Sequence, residues 1–249
     1  MSGKTTTGRL ADFVASLDYA DLPAELVRRV TRQCLDLTGV ALAGSGEPAV
    51  QAIRHLADAP GAASVWGTTG TARTADAAFV NAAAGHALDY DDMWLPGAHP
   101  SAPTFPAAFA VAEVNRRSGR DLIAAQAAGY EVMGRLHSAV SGRFGWHPTA
   151  VFGTFGAAAA ASRLLGLSGT QTAIAFGIAS SMASGIDGQS GTMVKPLRLK
   201  KKESGPGRVL RSVALMQKTQ GGRRRRGKPT ASPPCQPEAR TLTGLKSRA

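Results

Sequence analysis

The chain is short of cysteine. Cys34 and Cys235 are the only two in 249 residues, too few and too far apart for a disulfide framework or a zinc knuckle. A reducing, cytoplasmic setting is expected. Long apolar runs are missing too: the Ala-rich stretch from Val151 to Leu167 is interrupted by Arg163, and the first ten residues are polar, so neither a membrane span nor a secretory signal is expected. Gly3-Lys4-Thr5 imitates the end of a phosphate-binding loop but lacks the upstream glycine and the preceding strand that would cradle a phosphate. Ser101 has no base and orienter set around it in the sequence, which argues against acyl transfer.

Acidic residues run out at one end only. From Arg198 onward 15 Lys and Arg face 2 acidic residues, whereas the preceding 197 residues carry 14 basic and 15 acidic side chains. The formal net charge of +12 therefore belongs to the tail. Its basic block, Arg223 to Arg226, has no interleaved aromatic residues to stack on bases, and no hydrophobic period surrounds it, so nucleic-acid binding is not expected. Three readings of the tail stay open: a disordered electrostatic arm, a divergent continuation of the body, or out-of-frame translation of a GC-rich gene. The expected organisation is one helical domain over residues 1–197 and a basic tail over 198–249.

The body has enough Ala, Leu and Val for one sizeable core. Leu10, Phe13, Val14 and Leu17 follow the period of an amphipathic helix, and Pro23 opens a longer one through Leu26, Val30, Cys34, Leu37 and Ala41 to a stop near Gly44. A short helix is expected over Ala49–Ala57 and a small hairpin within Ala63–Ala72. Helices then follow over Thr74 to about Asp89, Pro103–Arg117, Asp121 to about Val140, Thr149–Leu165 and Thr170 to about Ser184. Their packing faces are built of Ala and Gly, which permits close approach. The fold class read from this pattern is all-α.

Chemistry is concentrated in His86-Ala-Leu-Asp89-Tyr-Asp91-Asp92-Met-Trp-Leu-Pro-Gly-Ala-His99-Pro100-Ser101. Two imidazoles and three carboxylates in so short a run are costly in a core and read as a site for moving protons. His86, Asp89 and Asp92 are spaced by three, which predicts one face of a helix end. His99 precedes Pro100, which restricts its backbone to extended conformations, and His147 precedes Pro148 in the same way. Lys195 ends a Gly-rich segment before Pro196. His55 and His137 lie in helical stretches without a partner motif.

The run from His86 to Ser101, with Pro106 and the helix ending in Ala112-Glu113, resembles the signature of the MmgE/PrpD family, which includes 2-methylcitrate dehydratase and cis-aconitate decarboxylase. Gly145-Trp-His147-Pro148-Thr149 and Gly185-Ile-Asp187-Gly188 through Thr192-Met-Val-Lys195-Pro196-Leu197 resemble it too, in the same order. The resemblance spans residues 8 to 197; beyond it the family continues with a His-Ala-Gly turn, where this chain reads Arg198-Leu-Lys200-Lys201.

The resemblance implies the family's helical domain without its α/β lid domain. It implies a carbon–oxygen lyase that needs no metal and no other cofactor, acting on a small polycarboxylic acid as a homodimer. Asp89 and His99 would then handle protons, while His147, Lys195 and His86 bind substrate. Asp89-Tyr-Asp91-Asp92 imitates an acidic metal box, but the family's dehydratases work without one. Met93 stands where the decarboxylating branch tends to have a small hydroxyl residue, which favours 2-methylcitrate dehydration over decarboxylation. Because the family completes its pocket beyond Leu197, this chain alone is expected to turn over little. The competing reading is a non-catalytic helical module with a basic nucleic-acid-binding arm.

Overall fold

In the computed structural model, residues 5–94, 97–140 and 145–185 are described. Lys195, Asp187 and the whole basic tail lie outside them. The described residues form helices α1 (Thr6–Ser16), α2 (Ala24–Gly44), α3 (Pro48–Ile53), α4 (Thr74–His86), α5 (Ser101–Val114), α6 (Gly119–Ala139), α7 (Pro148–Leu165) and α8 (Gly169–Met182), with one two-stranded hairpin before α4. The all-α expectation is met. None of these helices is long and apolar enough to cross a membrane.

Local chemistry sets most of the helix ends. Thr5 accepts the Gly8 N–H at the start of α1. Reciprocal capping boxes, Ser118 with Asp121 and Ser168 with Gln171, open α6 and α8. Pro148 fills the first turn of α7, and Gly166 ends that helix in the left-handed conformation at φ 67°. The hairpin pairs Ala63 with Ala72 and Ser64 with Thr71. Its buried edge is latched by Asn81, which accepts from Trp66 N and donates to the Ser64 carbonyl, both at 2.9 Å. Glu113 of α5 accepts the Ser64 N–H at 2.7 Å.

Two apolar clusters flank the middle of the fold. Leu37, Val50, Val65, Trp66, Val80 and Phe105 join α2, α3, the hairpin, α4 and α5. Val14, Val132 and Phe176 join α1, α6 and α8. Between these clusters α5, α6 and α7 meet through small side chains such as Ala108, Ala125 and Ala160. Gly129 of α6 and Gly156 of α7 face each other across this contact. A Cβ at Gly156 would lie 2.7 Å from the Thr104 methyl and 3.0 Å from the Gly129 carbonyl oxygen. Gly156→Ala is therefore expected to destabilise the protein by about 1–3 kcal/mol, read as a lowered midpoint of thermal unfolding. An unchanged midpoint would mean that this contact is slack.

The sequence pattern and the structure differ at the end of α4. The helix stops at His86 rather than continuing to about Asp89. Asp89 sits at φ 59°, with its N–H bonded to the His86 carbonyl at 3.1 Å, so the chain turns sharply there. His86, Asp89 and Asp92 do not share a helical face. The turn sends Asp91 back towards His86 instead.

Candidate active site

Asp91 is the hub of the cluster. Both its oxygens face His86 Nδ1, at 2.9 and 3.0 Å, and both side chains are buried. An ionised carboxylate can only accept, so His86 carries its proton on Nδ1. His86 Nε2 is buried and has no hydrogen-bond partner among the described residues. Read from the sequence as a substrate-binding residue, His86 is here placed beneath the surface holding a carboxylate.

His99 completes the arrangement from the far side of the loop. Its Nδ1 lies 3.3 Å from Asp91 Oδ2 and its Nε2 lies 3.8 Å from Asp89 Oδ1. The two imidazoles meet edge to face with ring centroids 4.7 Å apart. Burial alone would push Asp91 up, but the bonds from His86 and His99 outweigh it and hold the carboxyl at about 2, below its ordinary 3.8. Asp91 is therefore an anion at neutral pH. Facing it with Nδ1, His99 presents Nε2 towards the more exposed Asp89, an imidazole and a carboxylate side by side at the mouth of the cluster.

Asp92 has a different task. Burial and neighbouring Asp91 push its carboxyl up, opposed by bonds from Ser101. It accepts from Ser101 N at 3.1 Å and Ser101 Oγ at 2.7 Å, which ties the loop to the first turn of α5. Trp94 N–H to the Ala98 carbonyl at 2.7 Å narrows the loop between. His99 itself donates its backbone N–H to Thr149 Oγ1 at 2.9 Å, which joins α7 to the site. His147 stands two residues earlier as the cap of α7, its Nδ1 accepting from Ala150 N at 3.4 Å and its N–H donating to the Gly185 carbonyl at 2.9 Å. Trp146 beside it is exposed, as are Tyr90 and Met93.

The structure thus brings His86, Asp89 and His99 into one cluster and links the His147 segment to it through Thr149. Lys195 is outside the described residues. Asp91, whose spacing of five from His86 fits no helical face, reaches His86 because the chain turns at Asp89. His55 is exposed, and His137 packs against Phe152 at 5.6 Å between centroids, away from the cluster.

His86, Asp89, Asp91 and His99 each offer a donor atom, all within 4.8 Å of one another, so the set could hold a divalent cation. Here His86 is hydrogen-bonded to Asp91, and His99 lies 3.3 and 3.8 Å from Asp91 and Asp89, contacts that an ion would have to displace. A cavity of about 810 Å³ lies elsewhere, between α1, α2 and α6. It borders the loop only through Trp94 and Tyr130 and contains none of the four cluster residues. The chemistry is assigned by the cluster.

Residues 8–208 match the MmgE/PrpD N-terminal domain. The chain is 35% identical over 210 residues to cis-aconitate decarboxylase of Mus musculus and 36% identical over 214 residues to that of Homo sapiens, with 79% of this chain and 43% of each relative covered. Cis-aconitate decarboxylase of Aspergillus terreus is 32% identical over 206 residues, covering 76% of this chain and 41% of its own length. The chain spans about two fifths of the length of these curated relatives.

Proposed function

The chain belongs to the MmgE/PrpD family, and from that premise we propose that its cluster is the acid–base half of a lyase site for a small polycarboxylic acid. The observation that carries this is His99, held by anionic Asp91 on one nitrogen and set 3.8 Å from Asp89 on the other. A base and an acid so placed serve two related reactions. In dehydration, the base takes a proton from the carbon beside a carboxylate, the C–H electron pair becomes the new double bond, and the hydroxyl leaves as water with a proton from the acid. In decarboxylation, the C–C bond to the departing carboxylate breaks, carbon dioxide leaves, and the electron pair left on carbon takes a proton from the acid. Both are proton transfers of the kind a positioned side chain accelerates.

His99 and Asp89 are the proton-handling pair of this proposal, and Asp91 orients His99. His147 and Lys195 bind substrate carboxylates. Cis-aconitate is the first substrate to test, because the relatives described above are cis-aconitate decarboxylases. 2-Methylcitrate is the second, on the strength of Met93. Proton NMR of each acid incubated with the chain distinguishes them: loss of a carboxylate as carbon dioxide in the first case, loss of water in the second. Failure of both acids to bind or react would remove the functional reading.

A metal has no part in this proposal. Asp91 already accepts the His86 Nδ1 hydrogen bond and lies against His99, so dialysis against EDTA is expected to leave turnover unchanged. Loss of turnover restored by zinc would overturn the acid–base reading. A homodimer belongs to the same proposal, since Ile174, Ile178 and Met182 form a stripe on α8 that is 60–70% exposed in the single chain. Sedimentation at micromolar concentration is expected to show it.

A further inference from the structure

The face of α6 that meets α5 is not uniformly apolar. Gln126 and Tyr130, one helical turn apart, are both buried there. Each begins a chain of hydrogen bonds. Gln126 Nε2 donates to Thr104 Oγ1 at 2.7 Å, and the Thr104 hydroxyl donates to the Pro100 carbonyl at 2.6 Å. The Tyr130 hydroxyl meets Ser101 Oγ, which donates to Asp92 Oδ2 at 2.7 Å. Ser101 has a single hydroxyl proton and gives it to a carboxylate, so Tyr130 must be the donor of the pair. Burial raises the Tyr130 phenol well above its ordinary value, which keeps that proton in place.

Both chains end beside the same residue. Pro100 follows His99 directly, and the Ser101 to Asp92 bonds close the loop that carries it. The backbone N–H of His99 itself donates to Thr149 Oγ1 of α7. The segment carrying His99 is thus tied to α7 and α5 directly, and to α6 through Thr104 and Ser101. Buried polar groups cost free energy where a bond is missing, as at Gln126 Oε1, which has no partner among the described residues, and Ala or Leu would fill the same space without that cost. A network retained in such a place rigidifies one arrangement of the chain.

We propose that Gln126 and Tyr130 are positioning residues for His99, acting through Thr104 and through Ser101 and Asp92 to fix where its imidazole stands between Asp91 and Asp89. The proposal rests on His99 being the proton-handling imidazole of the lyase reading. Neither residue touches substrate. Their effect is on the aim of His99, and it disappears when the hydroxyls in either chain are removed.

The test follows the His99 imidazole by carbon–proton NMR in the isotopically labelled full chain, with His55 as internal reference. The titratable groups acting on His99 are Asp89, Asp91, His86 and Asp92; none is substituted in the variants used, and Tyr130→Phe leaves the Ser101 to Asp92 bonds in place. Tyr130→Phe and Ser101→Ala are each expected to move the His99 titration midpoint by about half a unit or more, with His55 unmoved. The double variant is expected to move it no further than the larger single change, because both break one chain. On the other arm, Thr104→Val removes the hydroxyl at nearly constant shape and is expected to displace the His99 signal, while Thr104→Ser restores it. An inactive chain in which these shifts still occur supports the positioning and counts against the lyase reading. Folded variants with an unmoved His99, or a strictly additive double variant, overturn the inference whatever the turnover.

Discussion

Replacing His99 with alanine is expected to lower polycarboxylate turnover by about 10²–10⁴-fold, the range set by losing one positioned acid–base group. Asp89 offers a sharper test, because its backbone and its carboxylate pull in opposite directions. At φ 59° it occupies the left-handed region, which Asp and Asn tolerate and glycine adopts freely. Asp89→Gly is therefore expected to keep or raise the unfolding midpoint while abolishing turnover. Asp89→Asn keeps the turn and loses the proton-handling group. Thermal unfolding and turnover measured on the same samples decide the matter: gain in one and loss in the other marks a strained position kept for chemistry. A glycine variant that still turned over would remove Asp89 from the mechanism.

Asp91 should show the largest effect on stability. Removing one partner of a buried ion pair typically costs about 3–5 kcal/mol, because the other partner is left desolvated and unpaired. Asp91→Ala strands His86 Nδ1 in the interior and deprives His99 of its 3.3 Å contact. The expected result is a fall in the unfolding midpoint of about 10 °C or more. The pH dependence has a definite sign. The Asp91 carboxyl is held at about 2 in the folded chain against an ordinary 3.8, so protonation favours the unfolded state. Its contribution, on the order of 2 kcal/mol, is complete above about pH 4 and is lost as the pH falls through about 2. Asp91→Asn should flatten that part of the stability profile. A profile identical to wild type would mean that the carboxylate is not held as the geometry requires.

The limits of sequence reasoning are clearest at the end of α4. The density of His and Asp between residues 86 and 101 marks the site without any structure, since so many ionisable groups rarely share a short segment by chance. Which of them pair is another matter. A spacing of three pointed to His86, Asp89 and Asp92 on a helical face, but the helix had already ended. Whether a helix runs one more turn depends on small local preferences. Here they are overridden by bonds between Asp92 and Ser101 and between Ser101 and Tyr130, which lies 29 residues further on. Asp91 became the hub because of a turn that those distant contacts stabilise.

Sequence by itself determined what depends on neighbours along the chain: the caps at Thr5, Ser118 and Ser168, the start of α7 at Pro148 and its stop at Gly166, and the apolar periods that make the fold helical. These are interactions across three or four residues, and the side chains that make them stand together in the sequence. Tertiary structure alone decided which small-residue faces meet, with Gly129 against Gly156, and which hydroxyl receives the His99 N–H, with Thr149 fifty residues away. The same holds for the two hydrogen-bond chains that descend from α6 to the loop. Long-range pairs are chosen by packing of the whole core, and many alternatives share the same composition. The reactive groups could be read one residue at a time; their pairing could not.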